Sequence, residues 1–295
     1  MKKKVLVFKS FALILAIIWI LSDICLTIFD PFKFFPYFYK NDFEVTELNH
    51  PEKVWDKVFY GSSVVAASYL EEHAKSGYYN AGVSYGTVSD VYNLLKKGEM
   101  KVGSELVIGL NDISFLDELD TNPTYIWHKK WYQHYLYFQR DKIYPLIETG
   151  ITNVLNKLPF LAEPAWEKQT KNYCYGQLTD EQLFESEKSM LERFGTKSLE
   201  DCEKNFNDLE KLIKFCKKKN IRLRVIWMPW NPKIPLYEFA KITMNHANDI
   251  FAQNGIEVYD MTNMVEPQYF YDIGHMSYQE GSPYFTKMVD EFLSK

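Results

Sequence analysis

An apolar run ends at Gly61-Ser62-Ser63, and a helix-like run follows from Val64 to His73. A serine between a strand and a helix has backbone N–H groups and the positive end of the helix dipole beside its oxygen. Such surroundings stabilise an anionic intermediate. The junction therefore predicts a nucleophilic serine, although the same tripeptide is also common in turns that only connect elements.

The second stretch with catalytic side chains is Asp272-Ile273-Gly274-His275, in which an aspartate and a histidine stand three positions apart. One turn of chain brings the two side chains together, so the carboxylate can hold the imidazole and set its tautomer. The other ring nitrogen is then free to accept the proton of a serine hydroxyl. We predict that His275 is a general base and that Asp272 orients it.

Two further stretches supply hydrogen-bond donors suited to an oxyanion hole. Residues 80–86 read Asn-Ala-Gly-Val-Ser-Tyr-Gly, and residues 109–112 read Gly-Leu-Asn-Asp. Each stretch follows a predicted strand, and ligands of open parallel sheets bind beyond the carboxyl ends of the strands. We expect both stretches to meet Ser63 and His275 at one edge of a sheet, with a glycine N–H and the Asn111 amide facing the oxyanion.

Alternating strand-like and helix-like segments predict the scaffold that positions these residues. This alternation favours a three-layer α/β/α domain with a mainly parallel five-stranded sheet. The pattern breaks down for about eighty residues, longer than an ordinary connection, and we interpret residues 113–198 as an aromatic-rich insertion. The predicted strands cover residues 54–60, 78–83, 105–108, 223–228 and 257–261, and the predicted helices cover residues 64–73, 87–97, 199–219 and 237–253.

The four blocks, in this order, resemble those of the SGNH/GDSL hydrolase superfamily. The resemblance extends from about residue 54 to the C-terminus, apart from the insertion. It implies an esterase or acyltransferase in which Ser63 is the nucleophile of a triad with His275 and Asp272. It also implies an oxyanion hole built from the Ser63 N–H, the Gly86 N–H and the Asn111 side chain.

The chain departs from the family pattern at two positions. Tyr85 stands where the family has its second-block glycine, and Gly86 follows it, so the Tyr85 N–H is the alternative donor. Ser62 replaces the family's aspartate, and Gly-Ser-Ser is similar to the membrane-anchored, DltD-like branch. That branch also has a Pro-containing segment after its fourth strand. Here the segment is Met-Pro-Trp-Asn, and its Trp230 and Asn231 are candidate substrate-binding residues.

The N-terminus predicts membrane attachment. Lysines occupy positions 2–4, and residues 11–28 form a mostly apolar run with Asp23 as its only charge, a length that suits a transmembrane signal anchor. The charge bias predicts a cytoplasmic N-terminus and a cell-membrane protein whose remainder is extracytoplasmic. Aromatic residues 29–39 are typical of an interfacial belt. The predicted organisation is an anchor at 1–30, a juxtamembrane linker at 31–50 and a catalytic domain at 51–295.

The charge and histidine patterns exclude several classes of partner. The formal net charge is −5 at pH 7, whereas nucleic-acid binding requires a basic face. Basic residues at 217–224 are expected at a solvated helix end, with lipid headgroups as the alternative contact. His128 and His134 lack a metal-binding spacing, so we predict no metal and no cofactor. In the insertion, Trp127 and Trp131 are expected to pack together or to stack on sugar rings.

These observations predict extracytoplasmic, serine-dependent transfer of an acetyl or D-alanyl ester onto a cell-surface glycan or teichoic-acid-type polymer. The expected partners are a polysaccharide or glycolipid acceptor and a membrane-bound O-acyltransferase that supplies the acyl group. An esterase that removes such groups uses the same triad and is the alternative. A non-catalytic glycan-binding protein is a second alternative. A lipid hydrolase is disfavoured because the sequence shows no strongly apolar lid.

Overall fold

The computed structural model describes residues 2–29, 41–119, 122, 124–128, 147–148, 150–160 and 174–294. The chain divides into two compact units, Met1–Asn41 with Pro123–Gln169 and Asp42–Asn122 with Thr170–Lys295. The first unit contains helix α1 (Lys2–Phe29) and a 3₁₀ turn at Ile126–His128. The second unit contains the sheet and the predicted catalytic residues.

Within the described residues, one five-stranded sheet forms the centre of the second unit. Its strand order is β2-β1-β3-β4-β5, and every neighbouring pair is parallel. The last six residues of the central strand β3 are buried, as expected for a strand covered on both faces. The strands are β1 (Trp55–Gly61), β2 (Tyr79–Gly82), β3 (Val102–Leu110), β4 (Arg222–Trp227) and β5 (Glu257–Asp260).

Helices cover both faces of this sheet. The helices are α2 (Asp42–Asn49), α3 (Ser63–Ser68), α4 (Val88–Lys97), α5 (Asp180–Phe194), α6 (Glu203–Lys219), α7 (Glu238–Asn254) and α8 (Gly281–Leu293). Helices α3 and α8 pack together in one layer, and α6 packs against α4 and α7 in the other. The predicted three-layer α/β/α fold with a five-stranded parallel sheet is confirmed.

Three aligned glycines allow α3 to lie close to the sheet. Gly61 is in register with Gly82 of β2 and with Gly109 of β3. A Cβ atom on Gly61 or on Gly109 would lie 2.3 Å from a methyl group of Val65, and one on Gly82 would lie 2.4 Å from the Ala66 nitrogen. A side chain at any of these positions would push α3 away from the sheet, so the glycines determine where the first residue of α3 lies.

Helix α3 is shorter than the predicted helix at residues 64–73. It ends at Ser68, and Tyr69 adopts an extended conformation before a 3₁₀ turn at Glu71–His73. The buried Asn80 amide donates to the carbonyl of Tyr69 at 2.7 Å. This tertiary hydrogen bond satisfies a carbonyl that a longer helix would have used internally, and the chain turns towards β2.

Arg224 of β4 is a fully buried cation that joins the sheet to the last helix. Its guanidinium forms an ion pair with Glu105 of β3 and donates to the Tyr78 hydroxyl at 2.8 Å. It also donates to the carbonyls of Phe292 and Leu293 at 3.2 and 3.1 Å. A cation at this end of α8 satisfies carbonyls that have no partner within the helix and complements the helix dipole.

The membrane-spanning helix predicted at residues 11–28 is wrong. Across the described parts of the chain, no helix is sufficiently long and apolar to cross a membrane. The predicted span contains the Asp23 carboxylate, whereas a membrane span requires about 20 predominantly apolar residues in succession. The predicted anchor and the extracytoplasmic location inferred from it therefore lose their basis. Residues 30–40, which hold most of the predicted aromatic belt, lie outside the described residues.

We predict that Arg224→Met lowers the free energy of unfolding by about 3–5 kcal/mol, because it removes the buried cation in direct contact with the Glu105 carboxylate and leaves only the half-exposed Arg222 at 3.9 Å. Arg222→Met is the matched control on the same strand, since the Arg222 side chain is 52% exposed and exposed ion pairs contribute at most about 1 kcal/mol. Urea unfolding of both variants gives the comparison. Equal losses in the two variants would contradict the assigned role of Arg224.

Candidate active site

Ser63, His275 and Asp272 form one chain of hydrogen bonds. Nε2 of His275 lies 2.9 Å from Oγ of Ser63. Nδ1 of the same ring lies 2.9 Å from Oδ2 and 3.1 Å from Oδ1 of Asp272. Ser63 is the first residue of α3, directly after β1, and the other two residues lie on the loop between β5 and α8. The structure therefore brings together the three residues that the sequence analysis predicted as a triad.

The loop itself orients the Asp272 carboxylate. Its Oδ1 accepts hydrogen bonds from the backbone N–H groups of Gly274 and His275 at 2.9 and 2.8 Å. Burial alone would raise the pKa of Asp272, but these bonds and the bond to the His275 ring outweigh burial and lower the pKa. The carboxylate is therefore ionised near neutral pH and holds Nδ1 of the ring as a hydrogen-bond donor.

Asn231, a predicted substrate-binding residue, supports this loop. Its Nδ2 donates to the backbone carbonyl of Asp272 at 3.0 Å, and its backbone N–H donates to the carbonyl of Ile273 at 2.8 Å. The Asn231 side chain is buried. These contacts attach the end of β4 to the loop that carries the histidine, so Asn231 positions the loop and does not face the pocket described below.

Polar side chains of α8 and its preceding loop hold α3 in place. The Ser282 hydroxyl donates to the carbonyl of Ala67 at 3.1 Å, and the Thr286 hydroxyl donates to the carbonyl of Ser68 at 3.4 Å. The backbone N–H of Met276, next to the histidine, donates to Oγ of Ser68 at 3.3 Å. The helix that carries Ser63 and the loop that carries His275 are thus joined directly.

Asn111 lies beside the two serines with its amide group oriented. The Ser114 hydroxyl donates to Oδ1 of Asn111 at 2.7 Å, so that oxygen is occupied. The Nδ2 atom donates to Oγ of the fully buried Ser62 at 3.3 Å. This bond is long for a hydrogen bond, so Ser62 holds the amide N–H₂ group only weakly, and Asn111 lines the same pocket as Ser63.

The structure distinguishes the two candidate backbone donors at residues 85 and 86. The Gly86 N–H donates to the carbonyl of Val83 at 3.1 Å, and Gly86 packs against Gly61 and Tyr60. Tyr85 has a positive φ of 54° and lines the same pocket as Ser63. A tyrosine in the left-handed region is unusual and marks a turn that the surrounding structure holds in place.

A pocket of about 550 Å³ opens beside the triad. Ser63, Tyr85, Asn111 and His275 lie on its wall, as does the predicted substrate-binding residue Trp230. Two tryptophans of the insertion were also predicted to bind substrate. Trp127 is in the first unit, where its ring stacks on Tyr125 with centroids 4.3 Å apart, and Trp131 is outside the described residues.

Asp112 is a pocket residue to which the sequence analysis assigned no role of its own. Its buried carboxylate accepts a short hydrogen bond from the Tyr237 hydroxyl at the start of α7. Burial raises the pKa of Asp112 to about 6, although the bonds from Tyr237 and from backbone N–H groups lower it in part. The partners are far apart in the sequence, so no local pattern could have predicted the pair. Within the described ranges, no three His, Cys, Asp or Glu side chains converge as metal ligands.

Comparisons with known proteins do not identify a function, so the functional assignment rests on this geometry. No protein-family model matches the chain, and no curated protein matches it. Six chains of solved structures match. One of them, from Bacteroides fragilis and described as a candidate acylhydrolase, is 12% identical with a TM-score of 0.39. The match covers 83% of this chain and 88% of that chain. These values are too low to support an argument about activity.

We predict that Asp112→Asn makes the protein more stable than the wild type, by a margin that grows with pH. The folded-state pKa of about 6 exceeds the ordinary value of about 3.9. The stability that the protonated carboxyl contributes is therefore complete below about pH 4 and is lost as the pH rises through about 6. The margin should increase by about 1 kcal/mol between pH 5 and pH 8, as measured by urea unfolding.

Tyr237→Phe tests the same carboxyl in another way, because it should raise the pKa of Asp112 further. It removes a hydrogen bond that lowers the pKa of Asp112, so its unfolding free energy should fall more steeply than that of the wild type over the same pH interval. A pH-independent difference between the wild type and Asp112→Asn would show that Asp112 does not titrate in this interval.

Proposed function

We propose that the protein is a serine-dependent ester hydrolase or acyltransferase that forms an acyl-enzyme on Ser63. The observation that carries the proposal is the continuous hydrogen-bond chain from Oγ of Ser63 through His275 to Asp272, with both joining distances at 2.9 Å. These distances suit proton transfer from a nucleophile to a base and orientation of that base by a carboxylate. The same arrangement on the wall of an open pocket gives an ester access to the serine.

In the proposed reaction, Oγ of Ser63 attacks the carbonyl carbon of an ester while Nε2 of His275 takes the hydroxyl proton. The ionised Asp272 stabilises the imidazolium that forms and keeps Nδ1 protonated. As the carbon–oxygen bond to the alcohol breaks, Nε2 returns the proton to the leaving oxygen. Water or an acceptor hydroxyl then attacks the acyl-enzyme with His275 again as base, which releases either an acid or a new ester.

The developing negative charge on the carbonyl oxygen requires donors beside Ser63. We assign this role to the Ser63 N–H, the Asn111 amide and the Tyr85 N–H. Asn111 is supported by the orientation that Ser114 imposes on its amide. Tyr85 is favoured over Gly86 because the Gly86 N–H already donates to a backbone carbonyl, whereas Tyr85 lies on the pocket wall.

The finer predictions from the sequence remain predictions. A cell-surface glycan as acceptor and an acetyl or D-alanyl donor are compatible with the proposed reaction, since a sugar hydroxyl can replace water in its second half. The membrane-bound O-acyltransferase partner was predicted from the anchor and lost that support with it. Mass spectrometry of surface polymers from cells that lack the protein tests the acceptor directly, because a missing ester indicates a transferase and an excess indicates an esterase.

We expect Ser63→Ala to abolish labelling of the protein by a fluorophosphonate, because the proposed acyl acceptor is lost. Ser62→Ala is the matched control: Ser62 is fully buried and should not react, so this variant should still label. Intact-protein mass spectrometry measures the adduct. Labelling that survives in Ser63→Ala and disappears in Ser62→Ala would assign the nucleophile to Ser62. Glycan binding with no labelling of the wild type would favour a non-catalytic role.

We expect Asn111→Ala to lower kcat for an aryl acetate by about 100- to 1,000-fold with a smaller change in KM, because one oxyanion donor is removed. Ser114→Ala should lower kcat by a smaller factor, since the Asn111 amide then loses the bond that orients it. Steady-state hydrolysis of 4-nitrophenyl acetate measures both variants. A change of less than threefold in Asn111→Ala would remove Asn111 from the proposed oxyanion hole.

A further inference from the structure

The pocket beside Ser63 is walled mainly by apolar side chains. Leu110, Trp227, Met228 and Phe194 contribute to the wall, and each is at most 6% exposed. Three of them lie at the carboxyl ends of β3 and β4, and Phe194 is the last residue of α5. The apolar wall therefore begins at the strand ends beside the proposed oxyanion donors and continues beneath α5.

Helix α5 forms one side of this pocket and is held there by apolar contacts. Leu183 belongs to a cluster with Trp230 and Ile273, and Met190 packs against the same cluster. Most other side chains of α5 are exposed. Helix α5 was not predicted from the sequence. Its apolar contacts lie on the pocket side, and its outer surface is mostly polar, with Phe184 and Leu191 also exposed.

Resting on the proposed function, we infer that this pocket binds the acyl chain of the substrate and that the enzyme prefers unbranched acyl groups of about six carbons or more over acetyl. The carbonyl oxygen is assigned to Asn111, and the leaving oxygen must lie at Nε2 of His275. Leu110 and Ile113 are neighbours of Asn111 and line the pocket. The chain on the carbonyl carbon thus has an apolar surface next to it.

The size of the pocket supports the same choice. A water-sized group occupies about 30 Å³, so 550 Å³ accommodates roughly 18 such groups, whereas an acetyl group has three heavy atoms. An acetyl ester would leave most of the apolar wall in contact with solvent. A longer chain would remove that wall from water, which is the main source of affinity for apolar ligands.

Apart from the triad, Asn111 and several serines, four polar or charged side chains lie on the pocket wall. Asp112 is bonded to Tyr237, and Glu185 and Arg193 are exposed residues of α5 that line the pocket. The buried Thr262 hydroxyl has no hydrogen-bond partner among the described residues. This oxygen is also inaccessible to solvent, so it offers no polar contact to a chain in the pocket.

The central test measures kcat/KM of the full chain for 4-nitrophenyl esters with acyl groups from acetyl to octanoyl. We expect a rise of about fourfold for each added methylene, equivalent to about 0.8 kcal/mol, and therefore about 250-fold over the four methylenes between acetyl and hexanoyl. A parallel series of n-alkyl acetates varies the alcohol instead. A rise in the alcohol series with a flat acyl series would assign the pocket to the alcohol and overturn the inference.

The proposed function and the pocket assignment fail in different ways. A flat or falling acyl series in a protein that still reacts with the fluorophosphonate would overturn the acyl pocket and leave the serine chemistry standing. Absence of both hydrolysis and labelling would overturn the proposed function and the inference together.

Ser189→Phe supplies a variant that fills the pocket without disturbing the core. Ser189 is an exposed residue of α5 on the pocket wall, and a phenyl group there should reduce the hexanoyl-to-acetyl ratio about tenfold. Lys188→Phe is the matched control, because Lys188 is exposed on the same helix and does not line the pocket; its ratio should equal that of the wild type. Equal ratios in the two variants would contradict the assignment of the chain to this pocket.

Discussion

The close approach of α3 to the sheet is the constraint on which the rest of the structure depends. It is permitted by Gly61, Gly82 and Gly109, which lie side by side on three strands and leave room for Val65 and Ala66. Helix α3 begins at the residue two places after Gly61, so its first residue is placed at the carboxyl edge of the sheet. The turns after β2 and β3 begin at the same edge. The proposed oxyanion donors therefore reach the serine without any additional structural element.

The position of the histidine depends on a second set of contacts, which run through α8. Hydroxyls of Ser282 and Thr286 satisfy carbonyls at the end of α3, while Arg224 satisfies carbonyls at the other end of α8. Each such bond contributes only about 1 kcal/mol, but a buried group left without its partner costs about 1–3 kcal/mol. The helix is thus fixed at both ends, and the loop just before it can present His275 with little freedom.

The sequence was informative where chemistry and local geometry coincide. Strand and helix alternation predicted the sheet, and the three-residue spacing of Asp272 and His275 predicted a contact that the structure shows at 2.9 Å. Contacts between distant residues were not predictable: Arg224 and Glu105 are 119 positions apart. Residues 217–224 were interpreted as a solvated cluster, because composition does not show that Arg224 faces the sheet interior. The membrane anchor was wrong: an apolar run with Asp23 as its only charge predicted a span, but no described helix is long and apolar enough to cross a membrane.

The end of β3 shows how stability and chemistry share one stretch of chain. Leu110 lines the pocket, Asn111 faces the serines, and Asp112 is bonded to Tyr237 at the start of α7. A carboxyl in this position costs stability at neutral pH, since burial raises its pKa. A neutral side chain there would remove that cost, so the carboxyl is not needed for folding. The bond to Tyr237 instead joins the start of α7 to the residue next to Asn111.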